Sequence, residues 1–302
     1  MTARLMVIGA GGLFGGEVAR AARRQRSEVV ALTRVDLDIT DGRAVDEVVR
    51  HHQPDVLVNA AAATDVDGCE GDHGSARRVN TEAPGHLAEA CTQIGARMVH
   101  LSTDYVFGGR PPPADAPRDH RGYRGHRGYR EDDPTDPISV YGRTKLDGEE
   151  RVRTASPDHL VVRTAWLSGT AGGFVPTILR LAERHAATPA LGPLHVVADQ
   201  TGSPTIAGDL AAALLSAVAA GMTGTLHLAN QGAATWHEVA MAVVAAAGLD
   251  VEVAPQSAAA LERPAPRPAW SVLDTERAAE LGIVLRPWQE AVAELVDTLR
   301  TA

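Results

Sequence analysis

A short strand, a glycine-rich turn and a helix open the chain, and no other stretch restricts its fold as strongly. Leu5-Met6-Val7-Ile8 is an apolar run, Gly9-Ala10-Gly11-Gly12-Leu13-Phe14-Gly15-Gly16 follows, and Glu17 to Arg24 has the composition of a helix. That order is what a phosphate-cradling loop requires, because backbone N–H groups at a helix N-terminus then face an anion. Each glycine has a separate task. Gly9 permits the tight turn, Gly12 lets the backbone approach a pyrophosphate, and Gly15 lets helix and strand pack closely. A merely flexible loop is the alternative, but glycine richness alone does not explain the placement between a first strand and a helix.

Further strands are expected at Glu28–Leu32, Asp55–Asn59, Arg97–Leu101 and His159–Arg163, separated by helices near Asp41, at 83–94 and at 141–152. Strands alternating with helices, and apolar without interruption, argue for a parallel sheet covered on both faces. In such a sheet ligands lie at the carboxyl ends of the strands. After the second strand come Thr33 and Arg34, where an acid would mark a ribose 2′-hydroxyl; a cation there tilts the reading towards NADPH, with a solvated surface arginine as the alternative. Asp38-Ile39 suits an adenine edge or, equally, a turn. Ala60-Ala61-Ala62-Ala63-Thr64 would let a cofactor pass close to the backbone, or is ordinary tight packing. After the fourth strand Ser102-Thr103-Asp104 sets hydroxyls and a carboxylate where a substrate carbonyl gaining negative charge could be met, though such residues also cap turns.

Tyr141 and Lys145 stand four apart on an expected helix and so share one face. A cation beside a phenol favours the phenolate, which would suit proton transfer. Between Phe107 and Tyr141 the chain departs from this regular pattern. His120-Arg121-Gly122-Tyr123-Arg124-Gly125 is repeated almost verbatim as His126-Arg127-Gly128-Tyr129-Arg130-Glu131 behind a triple proline. A solvated, mobile insertion is the preferred reading, since surface loops accept length at little cost. A basic lid over an anionic substrate is the sharper one. Beyond Arg163 the pattern is too irregular for a second nucleotide-binding sheet, which leaves a smaller substrate-binding region.

Composition narrows the classes. A net charge of -9 over 302 residues argues against nucleic acid or an anionic membrane as the main partner. No apolar run reaches the roughly 20 residues that span a bilayer. Cys69 and Cys91 form neither a disulfide framework nor a metal signature, which fits a cytoplasmic setting; no metal site is expected.

Taken in order, Gly9-x-x-Gly12-x-x-Gly15, Asn59-Ala-Ala-Ala, Ser102-Thr-Asp-Tyr-Val-Phe107, Tyr141-x-x-x-Lys145, Arg163-Thr-Ala-Trp166, Asp199-Gln-x-Gly-x-Pro-Thr205 and Arg267-Pro268 resemble the dTDP-4-dehydrorhamnose reductase family of extended short-chain dehydrogenases. The resemblance runs nearly end to end. It implies an α/β protein: a Rossmann-type doubly wound parallel sheet over residues 1–168, completed by parts of 200–235, with a smaller C-terminal substrate-binding domain over most of 169–302. It implies reduction of the 4-keto group of a dTDP-linked keto-deoxysugar by NADPH, with NADH as the alternative, in a monomer or homodimer. Tyr141 would give the proton, Lys145 would hold the nicotinamide ribose and lower the Tyr141 pKa, Thr103 would bond the carbonyl oxygen and Asp104 would position sugar hydroxyls. Cofactor contacts are expected from Gly9, Gly12, Leu13, Phe14, Gly15, Thr33, Arg34, Asp38, Ile39, Ala61, Ala62, Ala63, Thr64, Tyr141 and Lys145. Substrate contacts are expected from Thr103, Asp104, Trp166, Gln200 and Arg267, the arginine meeting the diphosphate.

Four features depart from the family pattern, all on the expected substrate side: Gly108 in place of an aspartate, Gly173 in place of an asparagine, Trp270, and the long repeat-bearing loop. They leave open a streptose-type keto-sugar as substrate. A non-catalytic regulatory subunit like that of some methionine adenosyltransferases is the alternative from another class.

Overall fold

The structure, a computed structural model, describes residues 4–111 and 126–301. Among these, β1 (Arg4–Ile8), β2 (Glu28–Leu32), β3 (Val56–Asn59), β4 (Arg97–Thr103), β5 (Leu160–Thr164) and β6 (Gly224–His227) form one sheet. Its order is β6-β5-β4-β3-β1-β2 and every pairing is parallel. Side chains alternate across the pleat. Leu5, Val7, Val56, Val58, Val99, Leu160 and Val162 face one way, under the helices Leu13–Arg24 and Ala207–Ala219. Met6, Ile8, Leu57, Met98 and Val161 face the other, under Gly42–His52, Ala83–Gln93 and Val140–Ala155. Both faces are dry, which explains strands without polar alternation.

After β5 the chain leaves the sheet, then returns with the Ala207–Ala219 helix and β6 before leaving again. The outlying part packs the helices Phe174–Ala187, Trp236–Ala246 and Trp288–Thr301 around Val175, Ile178, Val239, Val243, Trp288 and Val292. A parallel pair, Leu194–Val197 with Val253–Gln256, flanks them. Two of these helices carry side-chain caps: Asp41 accepts from Arg43 N and Ala44 N, and Thr235 with Glu238 forms a reciprocal capping box.

One stretch had no expected structure. Residues 66–82 form two short helices and then a π-helical turn, Arg78–Glu82, that runs into the Ala83–Gln93 helix. Pro84 has no N–H to offer the Asn80 carbonyl four residues back, so the wider turn is the way through. That carbonyl faces Gly148 of the Val140–Ala155 helix so closely that a Cβ there would lie 2.1 Å from it.

The second copy of the repeat corrects the expectation of a solvated insertion. Tyr129 is 6% exposed and stacks on Phe107, with ring centroids 4.1 Å apart. Its N–H donates to Val272 O at 2.7 Å, its carbonyl accepts from Asp274 N at 2.7 Å, and its hydroxyl donates to Arg110 O. Arg127 holds Asp133 through two bonds. An aromatic face with a satisfied hydroxyl is what converts this half of the repeat into core. The first copy lies outside the described residues, and with it most of the lid reading.

Gly148→Ala would force the Cβ onto Asn80 O and is expected to cost about 1–3 kcal/mol, as overpacking does. Urea unfolding measures it, and an unchanged midpoint would show that the two helices are not in contact.

Candidate active site

The site is built on the carboxyl end of β4. Thr103 ends the strand, and its hydroxyl oxygen accepts from Tyr105 N at 3.2 Å, turning the chain into the short 3-10 helix Asp104–Val106. Ser139 caps the Tyr141 helix by accepting from Gly142 N at 3.1 Å. Gly142 brings that helix onto the turn, since a Cβ there would lie 2.2 Å from Tyr105 O. As a result the Thr103 hydroxyl, which donates to Asp104 Oδ1 at 3.0 Å, also acts on Tyr141, and the Tyr105 and Tyr141 rings meet edge to face at 5.5 Å.

Electrostatics at this junction correct one expectation. Burial pushes the Tyr141 phenol up from its ordinary value, the Asp104 and Tyr105 charges add to the rise, and the Thr103 hydroxyl opposes it. Lys145 does not lower it, because the amine is engaged elsewhere: Nζ donates to Leu101 O at 2.6 Å and lies 3.2 Å from His100 Nε2. Lys145 is 1% exposed, and burial brings its amine down to about 8, against the pull of Glu149. Asp104 is also buried, and desolvation raises its carboxyl to about 7 despite the opposing pull of the Ser271 hydroxyl and the bond from Thr103 at 3.0 Å. Its Oδ2 has no hydrogen-bond partner among the described residues. A carboxyl in that state can donate or accept near neutrality.

The glycine turn, at the end of β1, lies across β3 from this junction. Gly9 has φ +80°, and a Cβ on it would lie 2.8 Å from Ala61 N. A Cβ on Gly15 would fall 2.2 Å from Gly9 O. Gly12 opens the first helix without a side-chain cap, so its backbone end is left to an anion. These are the features of a dinucleotide cradle, and the residues fit one. Leu13 is half-buried, whereas Phe14 is buried in the sheet core and offers only backbone. Thr33 donates to Asp36 through N and Oγ1, which leaves Arg34 exposed at the turn. Asp38 accepts from Thr40 and Ile39 is core, so this pair shapes the turn and presents no apolar edge. In the alanine run, Ala61 N donates to Asn59 Oδ1 and Ala63 N to Asn80 Oδ1; Ala62 is half-buried and Thr64 exposed.

On the outlying side Trp166 takes φ +46°, uncommon for a bulky residue, and stacks on Trp236 at 3.5 Å with a 4° interplanar angle. Gln200 is buried beside the Thr201–Gly202 strand. Arg267 reaches across to the Val66–Gly71 helix, where both terminal nitrogens grip Asp67 at 2.9 and 2.7 Å. Asp67 is held down at about 2, chiefly by that contact. The described residues contain no cluster of three or more His, Cys, Asp or Glu able to hold a metal. Nor does any described helix have the length and apolarity to cross a membrane.

Comparison with known proteins decides the family. The RmlD substrate binding domain family matches residues 3–301. A dTDP-4-dehydrorhamnose reductase of Mycobacterium tuberculosis is 43% identical, over 96% of this chain and 91% of that one. The chain belongs to the dTDP-4-dehydrorhamnose reductase family. It is an oxidoreductase. A probable dTDP-4,6-dihydroxy-2-methyloxan-3-one 4-ketoreductase of Streptomyces antibioticus is 42% identical, over 99% and 96% of the two chains. The solved dTDP-4-dehydrorhamnose reductase of Bacillus anthracis, in complex with NADP, superposes with a TM-score of 0.88 at 30% identity, covering 99% and 100%.

For a reductase of this family, sequence reasoning passed over several residues that the fold brings to the site. Asn80 donates to Ala63 O and Thr144 Oγ1, tying the alanine run to the Tyr141 helix. Asp67 holds Arg267, and Trp236 backs Trp166. None carries a local signal; an asparagine at a π-helical turn and a tryptophan at a helix start become meaningful only through their distant partners.

The buried Lys145 has a measurable signature. Its folded value of about 8 lies below the unfolded value near 10.4, so the unfolded chain binds more protons between the two. The contribution of this group to stability therefore rises with pH from about 8 to about 10.4. The melting temperature of the wild type, relative to Lys145→Met, is expected to climb through that window; a flat difference would mean that the amine is not desolvated.

Proposed function

We propose that the chain reduces the 4-keto group of a dTDP-4-dehydro-6-deoxy-L-hexose, converting dTDP-4-dehydro-L-rhamnose to dTDP-L-rhamnose or a close analogue, with NADPH as reductant. The observation that carries this is the convergence of Tyr141, Thr103, Asp104 and Lys145 at the end of β4, beside a glycine cradle on the same sheet edge. NADPH, when bound, supplies the hydride. Residues 1–168, with the returning helix and β6, would hold it, and Arg34, exposed after β2, would meet its 2′-phosphate. The outlying residues hold the sugar nucleotide.

Tyr141 gives its proton to the carbonyl oxygen as negative charge grows there. A raised phenol favours this direction, because the acid must enter the reaction protonated. Thr103 donates to the same oxygen and Asp104 holds sugar hydroxyls. Trp166, backed by Trp236, offers a flat apolar wall to the sugar, and Gln200 orients it. Arg267 exchanges Asp67 for the diphosphate, a trade between two planar bidentate anions. Cys69 and Cys91, both free and buried, suit a reducing cytoplasm.

A second reading keeps the reaction and changes the sugar. Gly108, Gly173 and Trp270 depart from the family on the substrate side, and the Streptomyces antibioticus relative is named for a different dTDP-linked ketone. A streptose-type precursor belongs to this reading.

Purified protein with NADPH and dTDP-4-keto-6-deoxy-L-hexose should consume nicotinamide absorbance; tight NADPH binding without turnover on any of a panel of keto-sugar nucleotides would overturn catalysis. Tyr141→Phe is expected to lower kcat by about 10²- to 10⁴-fold with NADPH affinity retained. Near-normal turnover in that variant would remove Tyr141 as the acid. Asp67→Ala should release Arg267 and lower the Kd for dTDP measured by calorimetry, and an unchanged or higher Kd would make the pair purely structural.

A further inference from the structure

A helix leaves its first N–H groups without partners inside it. At the start of the Val140–Ala155 helix, Ser139 Oγ accepts from Gly142 N, and the first turn, Val140-Tyr141-Gly142-Arg143, contains no acid of its own. The acid comes from 70 positions away. Glu70 Oε1 accepts from Val140 N at 2.7 Å, where a carboxylate meets both an open donor and the positive end of the helix dipole. Val140 directly precedes Tyr141, so this bond fixes the backbone from which the phenol extends.

The same short helix is tied to the outlying part of the molecule. Val66–Gly71 is six residues long and is capped by Asp65, which accepts from Gly68 N at 3.0 Å. Its Cys69 is buried with Val140 and Ala76, and Tyr141 packs against that cluster. Three residues before Glu70, Asp67 accepts both terminal nitrogens of Arg267 at 2.9 and 2.7 Å, and also Ala265 N at 3.0 Å. Residues three apart are neighbours on a helix surface. Fewer than two turns of helix cannot absorb a displacement internally without breaking their few hydrogen bonds, so a movement at Asp67 arrives at Glu70.

We propose that Glu70 is a positioning residue for Tyr141, and that through it the Val66–Gly71 helix couples the Arg267 loop to the start of the Tyr141 helix. Its meaning for catalysis rests on the reductase reading, in which Arg267 meets the diphosphate. While Asp67 holds Arg267, the carboxylate anchors the helix to the loop. Once an anion takes the guanidinium, that anchor is lost, and the helix is left to Asp65, Glu70 and the Cys69 cluster. Tyr141 thereby registers whether the diphosphate is in place.

Proton–nitrogen correlation spectra of the ligand-free protein read the coupling without substrate. Asp67→Ala is expected to shift the Val140 amide, whereas adding Asp67→Ala to Glu70→Ala should leave that amide where Glu70→Ala alone puts it. Glu70→Gln keeps an uncharged acceptor and should give an intermediate response to Asp67→Ala, so the result does not hang on the alanine variant. An unmoved Val140 amide in Asp67→Ala, or an equal movement in every background, overturns the coupling. In turnover with NADPH, Glu70→Ala is expected to lower kcat by about 10- to 10²-fold while KM changes by less than about twofold, and Glu70→Gln to recover most of the loss. Equal losses in the two variants, or a loss confined to KM, would reduce Glu70 to a cap that serves stability alone. If the wild type turns over no keto-sugar, the reductase reading fails, and the spectra still decide the coupling.

Discussion

Lys145 carries a titrating nitrogen into a place where 1% of the residue meets solvent and the direct partners are a carbonyl and an imidazole. Burying an unpaired charge is costly, and the usual remedy is a carboxylate. Glu149 stands one helical turn on, but it is committed to Arg163, Arg153 and Ser102. The geometry that creates this situation is set by two glycines. Gly142 lets the helix lie against the Tyr105 carbonyl, and Gly148 lets it lie against that of Asn80. A side chain at either position would lift the helix and let water reach the amine. The same close approach brings Tyr141 to Thr103, so the raised phenol and the lowered amine are two results of one packing decision.

That dependence explains what could be read in the chain beforehand. The glycine turn was legible because Gly9 and Gly15 answer a local demand, a left-handed turn and a helix pressed on a strand, that few other residues meet. The strands were legible because both sheet faces are dry and the runs are apolar throughout. The Tyr141–Lys145 pair was legible as a spacing, but the sign of its electrostatics was not. A lysine four residues from a tyrosine suggests a cation beside a phenol, and only β4 shows that the amine turns to Leu101 and His100 instead. Arg267 was readable as an anion-binding arginine, whereas its partner Asp67 is 200 positions away and leaves no local trace. The repeat was misread for a related reason. Its composition is that of a solvated loop, and its burial comes from Phe107 and Val272, which the repeat itself does not contain.

The departures from the family pattern fall into place once the loop is seen to be packed. Gly108 lies so close to the Asp136 carbonyl that a Cβ would sit 3.0 Å from it, which leaves no room for an aspartate without moving the loop. Gly173 takes φ +99°, and Ser168 Oγ accepts from Phe174 N and Val175 N in place of a capping asparagine. Trp270 is buried in the cluster that contains Phe107 and Tyr129, and His126 meets its ring at 5.3 Å. Two of the departures are thus consequences of the anchored repeat, and the third is a local exchange of one cap for another.

The anchored repeat also reaches the chemistry. Trp270 N donates to Gly109 O, Ser271 N donates to Thr201 O, and the Ser271 hydroxyl favours the charged form of Asp104. Phe107, on which Tyr129 stacks, ends the turn that Asp104 begins. The chain beside Trp270 therefore carries one of the few groups that favour the charged form of a carboxyl balanced near 7. Moving the repeat would move Ser271, and Asp104 would lose a hydroxyl that favours its charged form, raising it further. Sugar hydroxyls that approach a neutral acid meet a donor, and those that approach a carboxylate meet two acceptors. The length of the loop is in this way tied to hydrogen-bond polarity at the sugar, without any residue of the loop having to touch the substrate.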